Sequence, residues 1–591
     1  MLRAVVSFTV SVVAAAILMS CGDDDEPGPG SDGAATVTVD VSGSFTAGEA
    51  LRDANTGASA TVSDNGTVSF PAESGDVLLV ERVSSTPAPF SWDNATVYFL
   101  ITDRFQNGDP TNDENFERRP DGELEIGTWH GGDFVGVTQR LDYLEDLGVT
   151  AIWISMPVEQ MRGWVGGGSE GDFRHYAYAG YWAGDFTQLD PNFGTEDEFR
   201  TLIDAAHDRG IRVVLDVVMN HPGYASMADI VDFVPGVLRD GVSWSADWEP
   251  GEGETFFSYN DIFINFQSGQ WSNWWGPSWI RAGFPSHVAP GSDDLTLSLA
   301  SLPDFRTNST AEVDLPVFLT QKAAAGDSNA VAISGASPRD YLIGWLTRYV
   351  REFGVDGFRC DTAKHVELDA WQELKDAAIT ALAEWKSENP DKALDDLPFW
   401  MTAEVFPHGV VKDEYYDNGF DSVINFDFQD ELTETINDRA GLQDIYQFYA
   451  DAINVDPEFN VLSYISSHDT RLFTDPDGDG LDALTDTERQ KRAGDALLLV
   501  PGATQIFYGD ETMRSPGPTG SEAQQGTRSD MNFDANPEVL EHWQTIGQFR
   551  KNHIAVGAGD HRELAFDGGY AFARSYDDGD VVDDVVVVFV E

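Results

Sequence analysis

Short apolar runs alternate with longer amphipathic segments along most of the chain. Eight apolar runs predict buried strands, at residues 97–101, 151–154, 213–216, 357–361, 400–404, 422–426, 461–466 and 504–508. Stretches with apolar residues at helical spacing predict helices, at residues 197–209, 338–353, 366–389, 487–499 and 537–551. Strand–helix alternation on this scale is typical of a parallel α/β sheet, and eight units predict a closed (β/α)8 barrel.

The barrel pattern is interrupted once and is flanked by β-rich segments. Residues 222–337 are rich in loops and tryptophan, which indicates a domain inserted after the third strand, between barrel segments 92–221 and 338–552. Residues 35–86 alternate apolar and polar positions, which predicts a small N-terminal β-module. After the last barrel helix, residues 553–591 predict three strands, at 562–566, 570–575 and 585–590.

The first 34 residues carry export features. Residues 1–20 combine a basic start with an apolar run, as in a secretory signal peptide. The following Cys21, preceded by Leu18 and Ser20, resembles the lipidation site of bacterial lipoproteins, and residues 21–34 form an acidic, Gly/Pro-rich tether. We therefore expect an outer-membrane lipoprotein of the cell envelope, in contact with the membrane only through Cys21. An ordinary signal peptide with an incidental cysteine is the alternative.

Composition excludes other classes of protein. The chain has 36 basic and 101 acidic residues, a net charge of −65, which would repel nucleic acids and anionic lipids. Its hydrophobic content of 41% and aromatic content of 12% are too high for a disordered acidic protein.

Polar side chains follow four of the predicted strands at their carboxyl ends, where barrel enzymes build their active sites. The third, fourth, fifth and seventh strands contribute Asp216 and His221, Arg359 and Asp361, Glu404, and His468 and Asp469. Paired carboxyl groups can cleave glycosidic bonds, one as nucleophile and one as proton donor. The alternative for any single segment is a helix cap or a structural ion pair.

These four segments, in this order and spacing, resemble the signature regions of the α-amylase family, glycoside hydrolase family 13. The resemblance extends from about residue 97 to the C-terminus. Segments 271–277, 302–305 and 517–532 are similar to those of maltodextrin-degrading periplasmic members from enteric bacteria. The family fold is a barrel with an inserted domain after strand three and an antiparallel β-sandwich domain.

The resemblance implies a role for each polar residue. Asp361 would be the nucleophile, Glu404 the acid and base, and Asp469 the residue that binds sugar hydroxyls and favours the distorted transition state. Arg359 would keep Asp361 ionised. The other residues implied in substrate binding are Tyr181, Asp216, His221, Lys364, His365 and His468.

Aromatic residues suggest further sugar contacts. Tyr181 should stack against the sugar at the cleavage point, whereas Ala179 stands where many relatives have histidine. Four tryptophans of the inserted domain either line an extended cleft or form its core, and the sequence leaves both open: Trp271, Trp274, Trp275 and Trp279.

Ca²⁺ is the cofactor that the resemblance implies, and oxygen-rich loops suit it. One family site would use Asn220, Asp304 and the carbonyl of His365. A second would use Asn107, Asp109, Asn112, Asp113, Gly131 and Asp133. A third acidic loop, 475–486, begins like a calcium loop but ends in Asp, so an ordinary surface loop remains an alternative.

The resulting hypothesis is a retaining α-amylase, acting as a monomer on the α-1,4 bonds of starch, glycogen or maltodextrins through a covalent glucosyl-aspartate intermediate. The alternatives are a 4-α-glucanotransferase of the same family and an inactive glucan-binding lipoprotein. The glucanotransferase would use the same acids, whereas the inactive protein would lack at least one of the three acids, and all three are present.

The β-domain expected after the barrel is short. Residues 35–82 resemble its closing half, placed before the barrel instead of after it. We therefore predict that the two chain ends, 35–82 and 555–591, hydrogen-bond into one sheet, as in a circular permutation. An independent N-terminal module with a truncated C-terminal domain is the alternative.

Overall fold

The computed structural model describes residues 35–84, 87–245, 247–283, 288–437, 441–474 and 485–591. The predicted signal peptide, the tether with Cys21, and all but the last two residues of the acidic loop 475–486 lie outside the described residues. The described strands are β1 (Ala35–Asp40), β2 (Ala50–Asp53), β3 (Ser59–Thr61), β4 (Thr67–Ala72), β5 (Val77–Arg82), β6 (Thr96–Leu100), β7 (Ala151–Ile154), β8 (Val158–Gln160), β9 (Val165–Gly167), β10 (Phe173–His175), β11 (Ala183–Leu189), β12 (Arg212–Val217), β13 (Ile280–Ala282), β14 (Asp304–Phe305), β15 (Gly357–Cys360), β16 (Trp400–Ala403), β17 (Ser422–Asn425), β18 (Val461–Tyr464), β19 (Ala503–Phe507), β20 (Asp560–Leu564), β21 (Gly569–Asp577) and β22 (Val582–Val590).

The α-helices of the described residues lie mainly between the barrel strands and in the insertion. They are α1 (Thr102–Phe105), α2 (Phe134–Gln139), α3 (Leu141–Asp146), α4 (Glu196–His207), α5 (Met227–Phe233), α6 (Phe256–Phe263), α7 (Val317–Ala325), α8 (Pro338–Phe353), α9 (Leu368–Glu388), α10 (Asp427–Thr435), α11 (Leu442–Ile453), α12 (Asp486–Leu498), α13 (Pro537–Asn552) and α14 (Ala555–Ala558).

A closed parallel barrel forms the centre of the molecule. Its strand order within the described residues is β12-β15-β16-β17-β18-β19-β6-β7, and β19 closes the ring on β6. Every strand predicted for the barrel is present, with ends that shift by one or two residues. All side chains of β6 are buried, as expected of a strand covered on both faces. The predicted (β/α)8 barrel is confirmed.

Local sequence signals set the ends of the barrel helices. Helix α8 begins at a capping box, in which Ser337 and Asp340 each accept the other's backbone N–H, and ends at Gly354 with a left-handed φ of 84°. Its apolar side buries Trp345 and Tyr349, both of which contact Phe186 of β11. Helix α4 starts in the same way at Thr195.

Inserted structure follows both the second and the third barrel strands. Residues 222–337 hold α5–α7 and the antiparallel pair β13–β14. Strands β8–β11, between β7 and α4, were not predicted, because three of the four have three residues and carry no measurable periodicity.

The tryptophans of the insertion are core residues. Trp274, Trp275 and Trp279 are at most 2% exposed, and Trp271 is also buried. The first three pack against Phe318, Phe305 and Trp345. The interpretation of this cluster as a cleft lining is wrong.

The two ends of the chain form one sheet. Its order is β20-β21-β22-β5-β2-β3 in the described residues, and the antiparallel pairing of β22 with β5 joins the C-terminal to the N-terminal strands. The pair β1–β4 covers one face of this sheet through a shared apolar core. The predicted hydrogen bonding between chain ends is confirmed, and an independent N-terminal module is excluded.

Candidate active site

One guanidinium group links three carboxylates at the carboxyl end of the barrel. Arg359, on β15, donates to both oxygens of Asp216 (2.9 and 3.1 Å) and to Asp361 Oδ1 (2.8 Å). Its other terminal nitrogen lies 3.1 Å from Glu404 Oε2. Because β12, β15 and β16 are parallel neighbours, residues at or just beyond their ends meet in one place. The structure therefore brings these four predicted residues together.

The turn after β15 positions Glu404. Thr362 has a left-handed backbone with φ 50°, which is uncommon for a β-branched residue and indicates local strain. In this conformation its backbone N–H donates to Glu404 Oε2 at 2.8 Å. The peptide N–H of Glu404 in turn donates to the Cys360 carbonyl at 3.0 Å. The loops that carry Asp361 and Glu404 are thus fastened to each other.

Asp469 belongs to a second charged group that faces the cleft. His468 Nε2 lies 2.9 Å from Asp469 Oδ2, and Arg528 donates to Asp469 Oδ1 at 2.7 Å. The ring of Tyr181 stacks on His468 with centroids 5.3 Å apart, and its hydroxyl donates to Asp216 at 2.8 Å. Tyr181 therefore connects the two charged groups.

Burial and neighbouring charges give Asp361, Glu404 and Asp469 different proton affinities. Burial, reinforced by Asp361 and Asp469, raises the pKa of Glu404 to about 7. Burial also raises the pKa of Asp361 to about 6, because the opposing charge of Arg359 only partly offsets it. The Asp469 side chain is 44% exposed, and His468 and Arg528 outweigh its partial desolvation and hold its pKa below the usual range. Glu404 therefore holds its proton more tightly than Asp361 does, which is the order that a proton donor beside a nucleophile requires.

Two cavities flank these groups. One of about 370 Å³ is lined by Tyr181, Trp182, His221, Asp361, Gln525 and Arg528, among others. The other, of about 380 Å³, is lined by Lys364, His365, Glu404, Phe406, Phe426 and Thr470, among others. Leu299 and Asp469 line both cavities. Asp361 therefore faces one cavity and Glu404 the other.

The remaining predicted substrate residues lie on the walls of these cavities. Lys364 Nζ donates to the Phe406 carbonyl at 2.7 Å, which holds the amine at the rim. His365 Nδ1 lies 2.6 Å from the Asp294 carbonyl. His221 is buried, and burial lowers its pKa to about 4, so the imidazole is neutral at pH 7.

Three residues in the site were not assigned a role by sequence reasoning. Trp153 Nε1 donates to Asp216 at 3.1 Å, Thr362 holds Glu404, and Arg528 binds Asp469. Arg528 lies inside the segment 517–532 that carried the family resemblance, so a signal for it existed. Trp153 and Thr362 act through burial and backbone geometry, which the sequence does not show.

The loop predicted for a second calcium presents oxygen atoms without partners. The side-chain oxygens of Asn107 and Asn112 are buried and accept no hydrogen bond. A Cβ at Gly131 would collide with the Asn107 amide and the Asp113 carboxylate, so this position requires glycine. Asp133 accepts backbone N–H groups of Gly108 and Asp109 and caps α2. These residues fit a hard cation held largely by amide, carbonyl and carboxylate oxygens.

The Arg281 side chain lies at the site predicted for the first calcium, between the barrel and the inserted domain. Asn220, Asp304 and the His365 carbonyl do converge, since Asn220 Nδ2 lies 3.3 Å from Asp304 Oδ1 and 3.2 Å from the carbonyl. The Arg281 guanidinium, however, lies against the same oxygens. This set does not fit a calcium ion. No group of three or more His, Cys, Asp or Glu side chains suited to a metal occurs in the described parts of the chain.

The fold and the site define a glycoside hydrolase with a (β/α)8 barrel and a carboxylate pair at its strand ends. The family model described as alpha amylase, catalytic domain, matches residues 99–245. The chain is 50% identical over 562 residues to the periplasmic alpha-amylase of Escherichia coli (strain K12), covering 92% of this chain and 80% of that protein. The chain therefore belongs to the α-amylase family.

More distant matches agree on the fold. The beta/alpha-amylase of Paenibacillus polymyxa is 27% identical over 503 residues, covering 82% of this chain and 33% of that protein. The crystal structure of an α-amylase from Geobacillus thermoleovorans, complexed with acarbose, superposes with a TM-score of 0.56 at 23% identity. That comparison covers 83% of this chain and 86% of the other.

Proposed function

We propose that the protein is a retaining α-amylase that hydrolyses α-1,4-glucosidic bonds of starch, glycogen or maltodextrins. The observation that carries this proposal is the arrangement of Asp361 and Glu404 on one Arg359 guanidinium, each facing a different cavity. The named activity of the E. coli relative, at 50% identity, supports the substrate class.

The first chemical step uses both carboxyl groups. Asp361 attacks the anomeric carbon of the sugar in the cavity that it faces, and a bond from Asp361 to that carbon forms as the bond to the leaving oxygen breaks. Glu404 gives its proton to the leaving oxygen, so the departing chain leaves as an alcohol through the other cavity. A pKa of about 7 keeps this proton available near neutral pH.

The second step reverses the roles. Glu404, now a carboxylate, removes a proton from a water molecule, whose oxygen attacks the anomeric carbon and displaces Asp361. Two displacements at one carbon return the original α configuration. Asp469, held ionised by His468 and Arg528, is placed to accept hydrogen bonds from sugar hydroxyls and to favour the positively charged transition state.

No described feature of the site favours an inactive glucan-binding protein or a 4-α-glucanotransferase over a hydrolase. A catalytically inactive glucan-binding protein has no need of a raised Glu404 pKa or of three carboxyl groups around two neighbouring cavities. A 4-α-glucanotransferase would use the same acids and differ only in the acceptor. Product analysis at high maltodextrin concentration separates the two, because transfer gives products longer than the substrate.

The stereochemistry of the products tests the assignment of Asp361 and Glu404. We expect α-anomers to appear first when hydrolysis of maltopentaose is followed by proton NMR. With azide as external nucleophile, Asp361→Gly should yield a β-glycosyl azide, since azide attacks the intact substrate directly. Glu404→Ala should yield an α-glycosyl azide, since azide then displaces Asp361. Initial β-anomers from the native protein, or the same azide anomer from both variants, would contradict the assignment.

We also propose that Ca²⁺ binds the loop formed by residues 107–113 and 131–133. The two partnerless amide oxygens, Asn107 Oδ1 and Asn112 Oδ1, and the glycine required at position 131 support this site. A bound cation would join the loop after α1 to the start of α2. Its contribution is structural, because the site contains no residue of the catalytic group.

Calcium titration checks the loop site. Asp113→Asn is expected to remove one bound Ca²⁺ per chain in isothermal titration calorimetry and to reduce the calcium-dependent rise in Tm. Asp142→Asn is a matched control, because Asp142 is an exposed acidic residue on α3 outside the loop. Equal calcium stoichiometry in Asp113→Asn and the native protein would refute the site.

The protein is further proposed to be a monomeric lipoprotein of the outer membrane, anchored through Cys21. The relative from E. coli is named as periplasmic, which supports a location in the cell envelope. Among the described residues no helix combines enough length and apolarity to cross a bilayer. A lipid on Cys21 would supply membrane attachment without such a helix.

A further inference from the structure

The junction between the barrel and the inserted domain is held by an arginine side chain. Arg281, on β13, donates from Nε to Asp304 Oδ2 at 2.8 Å and from Nη2 to Asp304 Oδ1 at 3.0 Å. Nη2 also lies 3.4 Å from the His365 carbonyl, and Nη1 forms an ion pair with Glu367. The guanidinium thus contacts two of the three predicted calcium ligands, the Asp304 carboxylate and the His365 carbonyl.

The surroundings leave little room for solvent or a second cation. The side chain of Arg281 is 11% exposed and that of Asp304 is 1% exposed. The negative charges of Asp304 and Glu367 balance the positive charge of the guanidinium. Asp304 accepts two hydrogen bonds from Arg281, and Glu367 also accepts one from Thr307 Oγ1 at 2.5 Å. Arginine does not lose its proton in proteins, so its charge is permanent. A divalent ion a few ångströms away would meet strong repulsion in this buried setting.

Arg281 joins the inserted domain to the loop after β15, and Asn220 reaches the same oxygens from beyond the end of β12. Asp304 and Arg281 belong to the paired strands β13 and β14 of the insertion. His365 and Glu367 follow β15, in the loop that begins with Asp361 and Thr362, and Asn220 follows β12. The guanidinium therefore connects the inserted domain to the loop that carries the proposed nucleophile, which is the structural task of a bridging cation.

We propose that Arg281 replaces calcium at this junction, so that the junction is assembled and stable without a metal ion. The proposal concerns binding and stability, and it stands whether or not the catalytic assignment is correct. It predicts that calcium dependence can be created here by exchanging the guanidinium for a carboxylate.

Calcium stoichiometry provides the test, measured on EDTA-stripped protein by isothermal titration calorimetry with CaCl₂. Arg281→Glu is expected to bind one more Ca²⁺ per chain than the native protein, through the new carboxylate, Asp304 and the His365 carbonyl. Its Tm should rise with saturating calcium by roughly 3 °C more than that of the native protein. Arg281→Gln, which removes the charge without adding a ligand, should lose stability and gain no calcium site.

A second measurement decides the matter if Arg281→Glu does not fold. Asp304→Asn in the otherwise native chain should bind as many Ca²⁺ ions as the native protein, because Asp304 binds Arg281 and no metal. Loss of one calcium in Asp304→Asn would overturn the proposal. An unchanged stoichiometry in folded Arg281→Glu would overturn it as well, because the guanidinium would then not be what excludes the ion.

Discussion

Replacing Asp361 with Asn is expected to lower kcat on maltodextrin by about 10⁴-fold or more, while KM or the Kd for maltodextrin changes little. The amide has nearly the shape of the carboxylate but cannot form the covalent intermediate. The buried hydrogen bond from Arg359 at 2.8 Å can be retained by the amide oxygen, so the fold should survive. The measurement is steady-state hydrolysis, with maltodextrin binding followed by calorimetry.

The matching variant of the proton donor should differ in two ways. Glu404→Gln is expected to lower kcat on maltodextrin by roughly 10³-fold, but to preserve the burst of phenol release from an aryl maltoside whose leaving group needs no proton. The native pH profile of kcat/KM should fall above about pH 7 as Glu404 loses its proton, and below about pH 6 as Asp361 gains one. The alkaline limb should disappear in Glu404→Gln.

Asp361→Asn and Glu404→Gln should also retain the Tm of the native protein within a few degrees. Asp172→Asn offers a matched control, because Asp172 is an exposed carboxylate that binds Ser521 away from the reacting groups. Turnover by Asp361→Asn within tenfold of the native value would remove Asp361 from the reaction. An alkaline limb that persists in Glu404→Gln would assign the titration to another group.

The sequence was sufficient to locate the barrel and the residues of the site, because both leave local patterns. Each barrel strand coincides with a short, mostly apolar run, and Asp361 and Glu404 come directly after two of these strands. Parallel neighbours end at the same edge, so residues such as Asp216 and Arg359 had to meet. The predicted functional residues therefore cluster at the carboxyl end of the barrel, because neighbouring parallel strands end there.

Other features depend on contacts that are distant in sequence. The sequence predicts that Arg359 favours ionisation of Asp361, and the structure shows that burial opposes this effect and raises the Asp361 pKa to about 6. The extent of burial is not visible in the sequence. Arg281 is a basic residue in a short strand, and only the structure shows that Asp304, 23 positions away, is its partner. The short strands β8–β11 are stabilised by pairing with one another rather than by their own pattern.

The second large effect concerns the chain ends. A protein that starts at residue 87, and so lacks β1–β5, is expected to be insoluble or to unfold well below the native Tm. Val77, Leu78, Leu79 and Val80 of β5 are each at most 2% exposed. At about 1.5–3 kcal/mol for each buried side chain, their loss would remove about 6–12 kcal/mol, which is comparable to the whole stability of a typical domain.

The reason for this dependence is that β5 and β22 are buried on both faces. Val77 and Leu79 pack toward the barrel, whereas Leu78 and Val80 pack toward β1 and β4. Removing β5 would expose one edge of β22, whose apolar run 585–590 pairs with β5 at residues 586–589. Such an edge is a template for aggregation.

A chain that starts at residue 35 is the control, because it keeps every described strand and lacks only the predicted signal and tether. It should be soluble, active and as stable as the mature protein. Charged contacts also join the N-terminal strands to the C-terminal segment. His553 bridges Glu81 at 2.5 Å and Asp583 at 2.8 Å, and Arg82 binds Asp584 at 2.8 Å. If the chain that starts at residue 87 were soluble with an unchanged Tm and kcat, the N-terminal strands would be an accessory to the barrel rather than part of the fold that supports it.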